Sequence, residues 1–545
     1  MPEPLTGLGV SPGRAAGPVY RVAAAPRLPD PVAVDDPATE AQRAVAALTS
    51  VATELGRRAD TATDPTAAEI LRAQVMMADD PVLREAVTAR VDAGADAPHA
   101  IDAALAEHRA AFAAAGGYLA ERVADLDDLR DRAVAVCLGQ PMPGVPDPGV
   151  PFILSAPDLA PADTAGLDPT RVLALVTGAG GPTSHTTIVA RALGLPAVVR
   201  CPAILDVPDG TLITVDGATG AVTAGVDADT VAETLRLERQ RQADLASTSG
   251  PGRTADGHPV ALLANIGSAA DLVDDVEGVG LFRTELLYLD RTEPPGHDEQ
   301  VSAYAEVFAA AGARKVVVRT LDAGADKPLP FLHAGEEPNP ALGVRGLRTA
   351  RRRPEVLGTQ LAAIAQAAGA TGTEVWVMAP MVTTPAEAAE FAEAARAVGL
   401  PMVGAMVEVP AAALRAGALL RHVDFLSIGT NDLSQYTFAA DRMCGDLADL
   451  LDPWQPALLE LIATCAKTGA DLGKPVGVCG EAAADPALAV VLAGLGVSSL
   501  SMSARSVPAV RAALAAHTLA QCQQLAQAAL AAPDAAAARA AATSS

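Results

Sequence analysis

The sequence predicts a multidomain protein of α and α/β parts: a small α/β domain carries an inserted helical bundle and is followed by a C-terminal (β/α)8 TIM barrel. Three observations predict it. Residues 36–138 repeat apolar side chains at helical spacing. From residue 148 the pattern changes to short strand-like runs. From residue 259 onward, eight short apolar runs alternate with helical stretches, the arrangement of a parallel barrel. A chain of 545 residues also exceeds one hydrophobic core.

The expected boundaries are 1–30 and 142–228 for the α/β domain and 31–141 for the bundle. A connecting helix and linker fill 229–257, the barrel 258–532, and a tail expected to be disordered 533–545. Residues 4–22 hold two β-like patches around Ser11-Pro12-Gly13. Val45, Leu48 and Leu55 sit near helical spacing in the first helix, and Pro81 and Pro98 punctuate the helical runs. VPFILSA, RVLALVTG and TLITVDGATGAVTAG read as strands, with helix-like PTSHTTIVARALG among them. DADTVAETLRLERQRQADL then reads as a connecting helix, and STSGPGRTADG as a flexible linker. The barrel runs are PVALLAN, GVGLFR, KVVVR, EVWVMAP, PMVGAMVE, VDFLSIG, KPVGVC and VSSLSMS.

Composition excludes several classes of function. A net charge of -25 opposes nucleic-acid and anionic-membrane binding, and only 3% aromatic residues leave little surface for stacking bases. A local arginine cluster can still override that field for a small anion. Six cysteines without a CxxC pair argue against a disulfide framework or structural zinc. No basic, then apolar, leader opens the chain, and no uncharged apolar run reaches about 18 residues. A reducing, cytoplasmic setting without membrane insertion is expected.

In a TIM barrel the chemistry lies at the C-terminal ends of the strands. The second run ends in Arg283-Thr284-Glu285, and the third in Arg319-Thr320-Leu321-Asp322, with Lys327 beyond. The fifth ends in Glu408, the sixth in Thr430-Asn431-Asp432 with Arg442 further on, and the seventh in Cys479. Arg283, Arg319 and Arg442 suit a dense anion, because guanidinium forks match phosphate and carboxylate. Glu408 and Asp432 suit Mg²⁺ sharing phosphate oxygens. Each residue also has a plainer reading: a solvated ion pair for the arginines and carboxylates, a core side chain for Cys479.

One of only eight histidines, His185, lies in GAGGPTSHTTIVARALGLPAVV. The glycines and Pro182 turn the chain, Thr183 or Ser184 caps a helix, and His185 falls in its first turn, where backbone N–H groups favour an anion. Thr186 and Thr187 add hydroxyl donors. This spacing fits a phosphohistidine and a surface histidine equally.

GGPTSHTTIVAR resembles the phosphohistidine signature of the PEP-utilising enzymes, and DFLSIGTNDLSQY resembles their barrel signature. With GVGLFRTELLYLD, VVVRTLDAGADKPLP, AMVEVPAAAL and GVCGE, the likeness extends to the phosphoenolpyruvate–protein phosphotransferases and covers nearly the whole chain. The resemblance implies that PEP binds in the barrel with Mg²⁺ and that His185 is phosphorylated. It also implies that the phosphoryl group passes to a histidine of the phosphocarrier protein HPr, docked on the bundle, as the first step of sugar phosphotransfer. By the same carry-over Arg283, Arg319, Asn431 and Arg442 bind PEP with Asp432 beside it. Glu408 and Asp432 ligate Mg²⁺, Cys479 protonates the enolate to give pyruvate, and Lys327 and Arg345 support the site. The resemblance further implies that the histidine domain swivels about the Asp227–Gly257 connector and that the protein dimerises through its barrel, as the family does. The chain departs from the usual family residues at Pro182, Ala325, Ala341 and Cys444. ATP-dependent relatives need a nucleotide-grasp domain, for which the block at 36–138 is too short.

Overall fold

The computed structural model describes residues 3–61, 65–115, 123–159, 167–181, 184–289, 291–324, 329–332, 337–442, 444, 447 and 449–543. Lys327, Ala325, Pro182 and Thr183 lie outside the described residues, as do the side chains of His185, Ile188 and Ala192. The chain divides into two compact units, Met1–Arg239 and Gln240–Ser545.

The first unit contains an eight-stranded mixed sheet. Its strands are β1 (Glu3–Thr6), β2 (Leu8–Ser11), β3 (Arg14–Arg21), β4 (Phe152–Ala156), β5 (Val172–Thr177), β6 (Ala197–Val199), β7 (Leu212–Asp216) and β8 (Ala221–Ala224). They lie in the order β1-β8-β7-β3-β4-β5-β6-β2. Three strands stand where the sequence showed two patches, because Gly7 adds a break: a side chain there would collide with Val198 and Val199. β3 and β4 pair in parallel, Val19 opposite Ile153, although the whole helical block lies between them in sequence. The block is therefore an insertion in a continuous sheet.

The inserted helices are Pro37–Thr61, Pro65–Ala78, Pro81–Asp92, Ala97–Ala115 and Val123–Cys137. Leu48, Leu55, Leu83, Val87, Ile101, Leu105 and Leu129 form their common core, while Val45 is half-buried and does not join it. Pro81 sits in the first turn behind Asp80, whose carboxylate accepts the Val82 N–H at 2.9 Å.

The second unit contains a closed barrel of eight parallel strands, with β16 returning to β9. The strands are β9 (Ala261–Ile266), β10 (Gly278–Arg283), β11 (Lys315–Arg319), β12 (Val375–Ala379), β13 (Met402–Val407), β14 (Phe425–Ile428), β15 (Val476–Val478) and β16 (Ser499–Met502). They correspond to the eight apolar runs. Leu281, Val317, Met378, Met406, Phe425 and Cys479 cluster together, while Val316, Val318, Val377, Val403, Leu426 and Val476 belong to the layer that packs on the helices. With few aromatics available, Phe425 fills space that a side chain at Gly404 would occupy.

Two expectations need correction. The stretch after the connecting helix Ala228–Ala246 is pinned rather than flexible. Gly252 N–H donates to Glu277 at 2.9 Å, Arg511 donates to the Thr248 carbonyl at 3.2 Å, and Ala255 N–H donates to the His517 carbonyl at 2.8 Å. The tail is not disordered over its length: Ala535–Thr543 is a helix with Ala535 and Ala538 buried. Alanine favours helix strongly, and small side chains allow close packing. Arg539 anchors this helix by bridging Asp452 at 3.3 Å and lying over the Trp454 ring. Among the described residues, no helix is long and apolar enough to cross a membrane.

Candidate active site

In the first unit, β5 runs into a turn with Gly180 at φ +101, then into the helix His185–Leu193. Ser184 is the N-cap, its hydroxyl accepting the Thr187 N–H at 3.4 Å. His185 is the first helical residue, so its backbone lies where N–H groups are unpaired and the helix dipole is positive. The C-terminus closes at Gly194, φ +71, a left-handed cap. Thr186 and Thr187, expected as hydroxyl donors for an anion, are buried. Thr187 donates to the Gly181 carbonyl at 2.7 Å and Thr186 to Asp158 at 3.4 Å, so both fix the turn.

The second unit gathers most of the chosen residues at strand ends. Arg319 closes β11 and is 9% exposed. Its guanidinium meets Glu285 at 2.9 Å, Asp322 at 3.4 Å and Glu408 at 3.9 Å. Burial alone would weaken its charge, but these carboxylates prevail and hold it firmly protonated. Among the described residues Arg319 Nε and Thr430 Oγ1 are buried without hydrogen-bond partners. Such groups are costly unless a ligand satisfies them.

Arg345 has no exposed surface and bridges two carboxylates. It meets Asp322 at 3.1 Å and Asp432 at 3.1 Å. Arg442, half-buried, approaches Asp432 at 3.7 Å. Asn431 accepts the Glu481 N–H at 3.2 Å, which leaves its amide nitrogen as the group able to donate elsewhere. Arg283 ends β10, is exposed, and sits in register with Arg319.

Glu408 follows β13, is 1% exposed, and accepts the Met381 N–H at 2.8 Å. Burial, then the charges of Asp432 and Asp322, raise its pKa to about 8. A cation would reverse that pressure. Two hard carboxylates on successive strand ends fit Mg²⁺, which takes one or two protein carboxylates and completes its shell with substrate oxygens. Among the described residues, no three His, Cys, Asp or Glu side chains gather to hold a metal alone.

Cys479 follows β15 and is 4% exposed. Its N–H donates to the Ile428 carbonyl at 3.0 Å and its Sγ lies 3.5 Å from the same oxygen. Burial pushes the thiol up to about 11, with a hydrogen bond from Ser427 pulling the other way. Asp322 and Glu285 carry no role in the sequence reading; the signal that points to them is adjacency to arginines that need buried counter-charges.

Three family profiles match these regions: the PEP-binding domain of PEP-utilising enzymes over residues 240–519, their N-terminal domain over 6–122, and their mobile domain over 149–220. A barrel with this rim and a separate histidine-bearing domain thus define a PEP-utilising enzyme. The phosphoenolpyruvate–protein phosphotransferase of Streptomyces coelicolor is 53% identical, over 99% of both chains. That of Haloferax volcanii is 40% identical over 84% of both. The multiphosphoryl transfer protein of Xanthomonas campestris is 38% identical over 96% of this chain and 65% of its own. The chain belongs to the phosphoenolpyruvate–protein phosphotransferase family.

Proposed function

We propose that the chain transfers the phosphoryl group of phosphoenolpyruvate to His185, and thence to a histidine of an HPr-type phosphocarrier, releasing pyruvate. The observation that carries this reading is the convergence of Arg319, Arg345, Glu408, Asp432 and Cys479 at one end of a closed barrel. Phosphoryl transfer passes through a loose, charge-spread transition state, so fixed positive charge and alignment do most of the work. Arg283, Arg319 and Arg442 bind the phosphate and carboxylate of PEP, with the Asn431 amide as a further donor. Glu408 and Asp432 would hold Mg²⁺, which supplies charge neutralisation at the phosphate oxygens.

An imidazole nitrogen of His185 attacks phosphorus and the P–O bond to the enol oxygen breaks. A histidine of ordinary pKa, about 6.5, is largely neutral and nucleophilic at cellular pH. The departing enolate takes a proton at C3 from the Cys479 thiol, and solvent restores the thiol. Lys327 and Arg345 support the site, Arg345 by holding Asp432 and Asp322 in place. Serving both the barrel and a carrier requires the histidine domain (1–30 and 142–228) to swivel, with the carrier docked on the bundle (31–141). On this reading the enzyme is cytoplasmic, acts as a dimer through its barrel, and feeds sugar uptake.

Radiolabelled PEP, Mg²⁺ and an HPr-type carrier test the whole sequence. Label on the carrier and pyruvate should rise in equal amounts. Pyruvate without a labelled carrier would overturn the carrier half of the reading.

A further inference from the structure

We propose that Asn265 is a positioning residue for Cys479, a side-chain clamp on the Cys479 carbonyl that fixes the thiol against the substrate carbon. The proposal rests on Cys479 as the proton donor to the enolate.

The pairing of β15 with β16 stops at Val478 opposite Leu500. Cys479 is therefore the first residue beyond the ladder. Its N–H is still held by Ile428 of β14, on one side. Its carbonyl instead accepts the side-chain amide of Asn265, at 3.0 Å. Asn265 belongs to β9, and β16 lies between β9 and β15 in the barrel. The hydrogen bond thus reaches across an intervening strand.

That intervening strand supplies the second half of the clamp. The Ser501 hydroxyl, 3% exposed, donates to Asn265 Oδ1 at 2.5 Å. A carbonyl only accepts, so Nδ2 must face Cys479 and Oδ1 must face Ser501. Both ends of the amide are engaged and its orientation is unique. Room for the Ser501 hydroxyl exists because position 280 is glycine; a side chain there would collide with it.

The far side of Cys479 is equally fixed. A side chain at Gly480 would collide with Thr430, so this peptide packs directly on the turn that carries Asn431 and Asp432. Glu481 N–H then donates to Asn431. The peptide after Cys479 is held by Asn265 at one end and by the substrate-binding turn at the other. Losing the Asn265 amide frees that peptide to rotate and the thiol with it. A misplacement of about 1 Å in a reacting group costs on the order of 100-fold in rate.

The test uses the full chain with PEP deuterated stereospecifically at C3, turned over in tritiated water with Mg²⁺. Protonation from one face gives pyruvate with a chiral methyl group. In Asn265→Asp, which keeps the shape and loses the amide donor, pyruvate formation should fall by about 10- to 100-fold and methyl chirality should be lost. The KM for PEP and the rate of phosphohistidine formation should stay within about threefold, because binding and phosphoryl transfer do not use the thiol proton. Ser501→Ala should give a smaller loss in the same direction, and alone decides the matter if the first variant does not fold. Wild-type rate and chirality in the variant would overturn the proposal, as would an equal fall in phosphohistidine formation. Racemic methyl from the wild type, or chiral pyruvate at full rate from Cys479→Ala, would overturn the proton-donor reading instead.

Discussion

Arg345 shows what a single residue reveals only in three dimensions. Nothing in its local sequence marks it as buried, yet it neutralises Asp322 and Asp432 with no exposure of its own. Arg345→Met should leave two buried carboxylates without their main counter-charge. A loss of about 3–5 kcal/mol in urea unfolding is expected; a loss below about 1 kcal/mol would mean solvent already screens the pair. Cys479 is different, because its strand-end position was readable but its protonation state was not. Burial holds the thiol up to about 11. A raised pKa keeps the proton on, so the acid form persists until the pH approaches 11, and pyruvate formation should show no loss from this group between about pH 7 and 9.5. Iodoacetamide at pH 8 should spare Cys479 and label the exposed Cys444, as read by peptide mass spectrometry. Rapid labelling of Cys479 would contradict the burial argument.

At the scale of elements, strong periodicity was legible and weak periodicity was not. Each of the eight apolar runs became a barrel strand because a run flanked by helical patterns has few other ways to bury both faces. GAGGPTSH marked a turn and a helix start, while the choice between Thr183 and Ser184 as cap depended on φ and ψ that residue types do not dictate. The linker and tail misled because small residues carry no periodic size signal. Their partners, Glu277, His517, Asp452 and Trp454, are distant in sequence. Deleting 534–545 removes the Arg539 contacts and the burial of Ala535 and Ala538. A loss of about 1–3 kcal/mol in barrel stability is expected by thermal unfolding; an unchanged melting temperature would mean that the helix adds nothing.

For the molecule as a whole, composition set the class and the strand ends set the chemistry. In this acidic chain with few aromatics, arginines gather at the barrel rim against carboxylates that tie them down. Which carboxylates the arginines engage depends on distances across several strands that residue types do not dictate: Arg345 takes both Asp322 and Asp432. Phosphoryl transfer through His185 is tested most directly by the chemical position of the phosphoryl group. After mixing with radiolabelled PEP and Mg²⁺, acid-labile, base-stable label is predicted on the peptide that contains His185, and none on His185→Ala. Label on another residue, or label surviving that substitution, would contradict a route through His185.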